Sequence, residues 1–489
     1  MIFALARCNV GFDSVINVRQ NSFYLALVIA FVATGAIILP LTFSPAPFVL
    51  GGVVVLGLAF WQWEPLLYLA VFLLPFAPIV HTDFPIHDLV ALLRILIFAG
   101  VFLRKLLDRG RLSKWLWGST VDKLAVLYLT IATASVLINP DAGSGIRALF
   151  RLVSYLSLYY TATAWIRSRS QLRNLIKVLF ISTLLICSLG FYQFIANGYG
   201  PWFYWLYHGQ EEYIEPFAGR ITSVFLHVNP FAAFLNLVIP LALAMRAKSL
   251  DRIIARLGNI CFFVAMVALF LTQSRGALLA FAVMLILAFR YLIKGGGARK
   301  RIIVQVVAAI TIAVVAYQVR DRFIEQQTPE SATTGAQTAL DRFTELDEAT
   351  LTRLVIYGRA WDFFVSSPVI GVGYGNFPRL FAPSIEGGPD SAWDTHNLYL
   401  KLLSETGLLG TLCYLALVVV VWRSASKGLA RAPVPMESIV SFAILGATAT
   451  MLTHGLVDVM LDVPQFSGLL WLLFAALPLA RTSQENEAQ

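Results

Sequence analysis

Charge is scarce in this chain of 489 residues: Asp, Glu, Lys and Arg make up 13% of it, against 58% hydrophobic residues. A soluble globular protein of that length needs far more polar surface, so a soluble fold is excluded. Cysteine is scarce too. Cys8, Cys187, Cys261 and Cys413 are scattered without metal-ligand spacing or the pattern of a disulfide framework. Three of them sit in apolar runs, where cysteine acts as a small hydrophobe. The six histidines are equally dispersed, and neither a metal nor a cofactor is expected. The net charge of +9 comes mostly from Lys and Arg in short segments between apolar runs. No basic stripe with interleaved aromatics lies on a soluble segment, which excludes nucleic-acid binding. GVGYGNF (371–377) has no Walker lysine and reads as a supporting turn instead of a nucleotide loop.

What the chain does have is apolar runs of membrane-spanning length along nearly all of it, with a mean hydropathy of +0.74. They are continuous where a barrel would alternate. The reading is an all-α polytopic membrane protein of about 12–14 transmembrane helices. The candidate spans are 22–42, 46–61, 65–80, 88–107, 121–138, 147–166, 172–197, 223–246, 257–273, 275–293, 301–318, 397–423, 436–456 and 466–480. The first is read as a retained helix and not a cleaved signal. Basic clusters fall after every second span: Arg104 to Lys114, Arg167 to Lys177, Arg246 to Arg256, Arg290 to Arg301, and Arg423 to Arg431. That pattern predicts cytoplasmic loops there, both termini inside, and the opposite loops on the non-cytoplasmic side. The organisation expected is N-terminal helices at 1–214, arginine-bearing helices at 215–318, a large periplasmic loop at 319–396, C-terminal helices at 397–481 and a cytoplasmic tail at 482–489. Within the loop, Leu354, Tyr357, Trp361, Phe364 and Val365 recur at helical spacing before Pro368, which predicts an amphipathic helix on the outer face.

The informative residues are cations on the side that should be poor in them. Arg220, Arg275 and Arg353 all fall on the non-cytoplasmic side, and so does His396. Guanidinium offers planar, permanently charged donors that match phosphate oxygens, so three of them suit a diphosphate and its stabilisation as a leaving group. Each arginine alone also fits snorkelling or pairing with a carboxylate. That alternative is weakest for Arg275, which has no acidic residue near it in sequence. Arg147 and Arg151, one turn apart, fit either the same anion site or a lipid-headgroup anchor. His396 is expected in the first turn of a helix capped by Asp394 or Thr395, where it is either a proton acceptor or a hydrogen-bonded structural histidine. Glu405 lies four residues after Lys401, a favourable helical pair, and nine residues from His396, on the opposite face. Gly407 and Gly410 suggest a break or a close helix contact. Asp458 and Asp462 fit acceptor binding or turn capping equally.

At these residues the chain resembles the O-antigen ligase and O-antigen polymerase superfamily of bacterial membrane glycosyltransferases. The carriers are Arg220 followed by Asn229-Pro230, Ser274-Arg275-Gly276, Arg353 followed by PVIGVGYGNF (368–377), and above all HNLYLKLLSETGLLG (396–410), which begins His396-Asn397 and contains Glu405. The resemblance covers about residues 215–425. It implies metal-independent, inverting transfer of a glycan from undecaprenyl diphosphate to an acceptor hydroxyl. His396 is then the general base or acceptor-positioning group. Arg220 and Arg275 grip the diphosphate, Arg353 assists, and Arg147, Arg151, Asn229, Asn397 and Glu405 are possible supports. The leading expectation is an O-antigen ligase that joins the glycan to lipid A–core in lipopolysaccharide biosynthesis. The alternatives are an O-antigen or exopolysaccharide polymerase using a growing glycan as acceptor, a protein O-oligosaccharyltransferase, and a lipid or polysaccharide transporter without catalysis. A transporter is disfavoured because its ionisable residues belong at mid-membrane, in paired broken repeats.

Overall fold

The computed structural model describes residues 46–76, 89–107, 112–139, 142–206, 219–248, 251–292, 296–327, 348–381, 394–431 and 435–480. These residues are mostly helical, with turns between the helices and no strand among them. In chain order the helices are α1 (Ala46–Phe72), α2 (Leu89–Leu107), α3 (Leu112–Trp117), α4 (Thr120–Ile138), α5 (Ala142–Trp165), α6 (Arg169–Ala196), α7 (Pro201–Leu206), α8 (Val228–Lys248) and α9 (Arg252–Thr272). They continue with α10 (Arg275–Leu287), α11 (Gly296–Gln327), α12 (Glu348–Ser366), α13 (Phe377–Phe381), α14 (Leu398–Arg431), α15 (Pro435–His454) and α16 (Pro464–Ala475).

The chain is a multi-pass membrane protein. Among the described residues, α4, α6, α8, α9, α11, α14 and α15 are long and apolar enough to cross a membrane, and an eighth span follows if the bent pair Val54–Trp61 and Trp63–Phe72 counts as one. The smaller number than the apolar runs suggest has physical causes. The runs 46–61 and 65–80 are joined in α1, which bends sharply between Trp61 and Trp63, just before Pro65. Helix α2 carries Arg94, Arg104 and Lys105, and α5 carries Arg147 and Arg151. Helices α10 and α16 are short, with 13 and 12 residues. The expected first span, 22–42, and the tail at 482–489 lie outside the described residues.

Polar residues mark the helix ends. Ser119 and Asp122 form a reciprocal capping box on α4, Ser168 and Gln171 do the same on α6, and Asp251 caps α9. Arg173 reaches Asp251 at 3.7 Å and Arg169 reaches Glu437 at 3.8 Å, so the starts of α6, α9 and α15 share one end of the bundle. Helix α8 is the centre and packs against α9 and α15. Helix α11 is the periphery: Val304, Val307, Val315 and Val319 stay exposed, which suits a lipid environment and would be costly in water. Helix α12 ends two residues before Pro368, as its sequence predicts. Its protein-facing side is Ile356 and Ala360 against Phe377 and Phe381. Leu354, Trp361 and Val365 stay exposed, so this helix has a second apolar face in addition to the one that packs.

Candidate active site

The site is built where α14 begins. Asn397 caps that helix: its Oδ1 accepts the N–H of Tyr399 at 3.0 Å and of Leu400 at 3.1 Å. The cap was expected at Asp394 or Thr395, with His396 in the first turn. His396 instead precedes the helix in the left-handed region, φ 48°. A non-glycine residue there must be held by its surroundings. Three contacts hold it. Leu398 donates its N–H to the Gly455 carbonyl at 2.8 Å, Asn397 Nδ2 donates to the Leu456 carbonyl at 3.0 Å, and Tyr357 Oη donates to the His396 carbonyl at 3.1 Å.

This backbone carries the His396 ring to the turn after α15. Nδ1 lies 3.1 Å from Asp458 Oδ1. Asp458 Oδ2 accepts Asn229 Nδ2 at 2.6 Å, and Asn229 Oδ1 accepts the Ser274 hydroxyl at 2.8 Å. A continuous chain thus runs His396–Asp458–Asn229–Ser274, and Arg275 is the next residue. Burial pushes the Asp458 carboxyl up, but the hydrogen bond and charge of His396 and the Val459 N–H outweigh it and hold the group at about 2. The hydrogen bond to Asp458 raises His396 above the ordinary histidine value, opposed by partial burial and by the Arg353 charge. A carboxylate on Nδ1 fixes the tautomer and leaves Nε2 with the lone pair, the arrangement of an oriented base.

The arginines approach from two directions. Arg220 donates from Nε to the Thr272 carbonyl at 2.9 Å and from Nη2 to the Gln273 carbonyl at 3.3 Å, which seats it on the C-terminal carbonyls of α9. Its loop is pinned by buried Gln193, whose Oε1 accepts the N–H of Ser223 at 2.7 Å and of Thr222 at 3.2 Å. Arg275 opens α10 and is exposed. Gly276 explains the last position of the Ser-Arg-Gly triplet: a Cβ there would lie 2.4 Å from Val457 Cγ2 and 3.0 Å from His454 Cδ2. The end of α10 therefore presses directly on the turn that carries Asp458. Arg353, on α12, is half-buried, and its charge is felt at His396 and Tyr357. Arg147 and Arg151 lie elsewhere, on α5.

Two features of the site were illegible or ambiguous in the sequence. Asp458 had no distinguishing signal, since its partner is 62 residues away and it sits outside any helix. The other is a buried node. Lys401 Nζ lies 3.0 Å from Asp394, 3.0 Å from Glu405 and 2.7 Å from Asp462. The Lys401–Glu405 spacing announced one of these contacts; the other two are tertiary. Glu405 also accepts the N–H of Gly375 at 2.9 Å and of Phe377 at 3.2 Å, so GVGYGNF is a turn braced by this carboxylate. Gly407 breaks α14 at φ 61°, where a Cβ would lie 2.4 Å from the Val369 carbonyl carbon. Among the described residues, no group of three or more His, Cys, Asp or Glu is arranged to hold a metal ion.

Residues 260–415 match the O-Antigen ligase family. The matched segment contains Arg275, Arg353, His396 and Glu405; Arg220 and Asn229 precede it and Asp458 follows it. The chain is also similar to the teichuronic acid biosynthesis protein TuaE of Bacillus subtilis (strain 168), with 23% identity over 316 residues. That alignment covers 63% of this chain and 62% of the relative, so more than a third of each lies outside it. The chain thus carries a segment similar to the O-Antigen ligase family within a multi-pass membrane protein.

Proposed function

We propose that this protein is a ligase-type glycosyltransferase that moves a glycan from undecaprenyl diphosphate to a hydroxyl of lipid A–core at the periplasmic face of the bacterial inner membrane. The observation that carries the reading is the His396–Asp458 pair at 3.1 Å, tied through Asn229 and Ser274 to the helix that begins with Arg275. His396 Nε2 takes the proton of the acceptor hydroxyl. The hydroxyl oxygen then bonds to the anomeric carbon as the bond from that carbon to the diphosphate breaks, with inversion. Arg220, Arg275 and Arg353 take up the charge on the departing undecaprenyl diphosphate, a role suited to preorganised guanidinium donors. Asp458 orients His396 and stabilises its protonated form. No step draws on a metal, because the permanent charge of the arginines stabilises the leaving group. The spacing of the basic loops supports an outward-facing site with both termini in the cytoplasm.

A second reading, polymerisation of repeat units, is favoured by the relative named for teichuronic acid biosynthesis. Both readings use the same donor chemistry and differ in the acceptor. Purified protein given undecaprenyl-diphosphate glycan, with and without lipid A–core, separates them. A single product that requires the core is expected; a ladder formed without it establishes the polymerase, and no product in either case overturns both.

A further inference from the structure

Arg147 and Arg151 stand apart from the donor arginines. Helix α5 starts at one end of the bundle, and these residues sit one turn apart on it, with Tyr155 one further turn along the same stripe. Tyr155 Oη donates to the Asp462 carbonyl at 3.4 Å, and Ser144 Oγ donates to Asn376 Oδ1 at 2.7 Å. This side of α5 therefore borders both the turn after α15 and the 371–377 turn. The Asp458 carboxylate meets Asn229 beside the α9–α10 junction, whereas four residues later the Asp462 carboxylate is held by Lys401 and its backbone carbonyl meets α5. The turn after α15 thus touches both the helix that carries Asn229, next to the α9–α10 junction, and the helix that carries Arg147 and Arg151.

The surroundings of the pair specify its ligand. Arg147 is exposed and Arg151 half-buried, and neither is tied to another described residue by an ion pair or hydrogen bond. The exposed residues beside them, Ile146 and Val153 on α5 with Leu137 and Ile138 on α4, are apolar. Two guanidinium groups beside this exposed apolar fringe leave their donors open to an anion. An amphiphile with an anionic headgroup satisfies both parts, its chains on the fringe and its phosphate on the fork-shaped donors. An inverting displacement adds a reason for the placement, since the nucleophile and the leaving group approach the anomeric carbon from opposite sides.

We infer that Arg147 and Arg151 form a second anion site, distinct from the donor site, which holds the phosphate of the lipid-anchored acceptor. The inference rests on the transfer reading above for the identity of the acceptor. It is tested by binding, so that its failure is distinguishable from failure of that reading. Purified full-length protein in neutral detergent is titrated with lipid A–core bearing its phosphates and with the same lipid after phosphatase treatment. The wild type should bind the phosphorylated lipid about tenfold more tightly. The Arg147→Gln/Arg151→Gln double variant should lose that preference while keeping its affinity for undecaprenyl-diphosphate glycan and its melting temperature. The Arg147→Lys/Arg151→Lys variant should recover part of it. Equal binding of the two lipids by the wild type, an unchanged preference in the double variant, or a loss confined to donor affinity overturns the site. Competition by phosphatidylglycerol micelles as strong as that by the phosphorylated acceptor reduces it to a bulk-lipid anchor and also overturns it. Absence of transfer by a wild type that shows the binding preference refutes the catalytic reading alone.

Discussion

A proton acceptor at His396 must be neutral to work, and its raised basicity sets the pH at which that happens. The rate should rise with pH along an acid limb whose midpoint lies above the ordinary histidine value, because the hydrogen bond to Asp458 favours the charged ring. Asp458→Asn removes the leading cause. In that variant the limb should move to lower pH and the plateau should fall by about 10²-fold, as read from kcat against pH. An acid limb that stays in place would sever the two residues. The pairing also contributes to stability over a defined window. Protonation of Asp458 as pH falls toward about 2 removes it, and deprotonation of His396 as pH rises through its raised value removes it as well. Arg275→Ala should weaken donor use by more than about tenfold, the loss of one phosphate contact of about 1.4 kcal/mol; wild-type donor kinetics would refute the assignment. At this scale the sequence was informative about residue types and poor at pairings. Arg220, Arg275, Arg353 and His396 were conspicuous because they break the apolar pattern. Asp458 was not, since its partner is distant in sequence and its only local feature is a polar turn.

The elements around the site are fixed by a few buried polar contacts, and Lys401 is the densest of them. It is 2% exposed and holds Asp394, Glu405 and Asp462 together. These three carboxylates brace the segment before His396, the 371–377 turn and the turn after Asp458. Lys401→Met would leave buried carboxylates uncompensated and should destabilise the protein by about 3–5 kcal/mol. Lys401→Arg should retain most of the stability, as read from thermal unfolding in detergent. Equal melting temperatures for Lys401→Met and wild type would show that the node is dispensable. The Lys401–Glu405 spacing made one of its contacts legible. The helix cap was misread, because Asp394, Thr395 and Asn397 are all competent caps and the choice depends on the tertiary contacts of Leu398 and Asn397 with the end of α15. The amphipathic helix α12 was legible in position and end, but its packed face was not. It has apolar residues on two sides, and only the partners Phe377 and Phe381 decide which side turns inward.

For the whole molecule, the all-helical membrane architecture follows from the apolar runs, which no soluble fold accommodates. The number of spans follows less directly, since run length does not reveal that α1 bends sharply between Trp61 and Trp63 or that α10 and α16 are only 13 and 12 residues long. Orientation rests on the basic loops and is open to a direct check. In a cysteine-free background, Tyr204→Cys should react with a membrane-impermeant thiol reagent added to spheroplasts, and Lys427→Cys should react only after permeabilisation; the reverse pattern would invert the topology. The central claim is that one oriented base, separable from a cationic donor clamp, performs the transfer. Single-turnover transfer by His396→Ala, measured beside its affinity for undecaprenyl-diphosphate glycan, tests it most directly. The account predicts a rate lowered by about 10²–10⁴-fold with donor affinity essentially unchanged, whereas wild-type transfer, or a loss explained entirely by weaker donor binding, would contradict it.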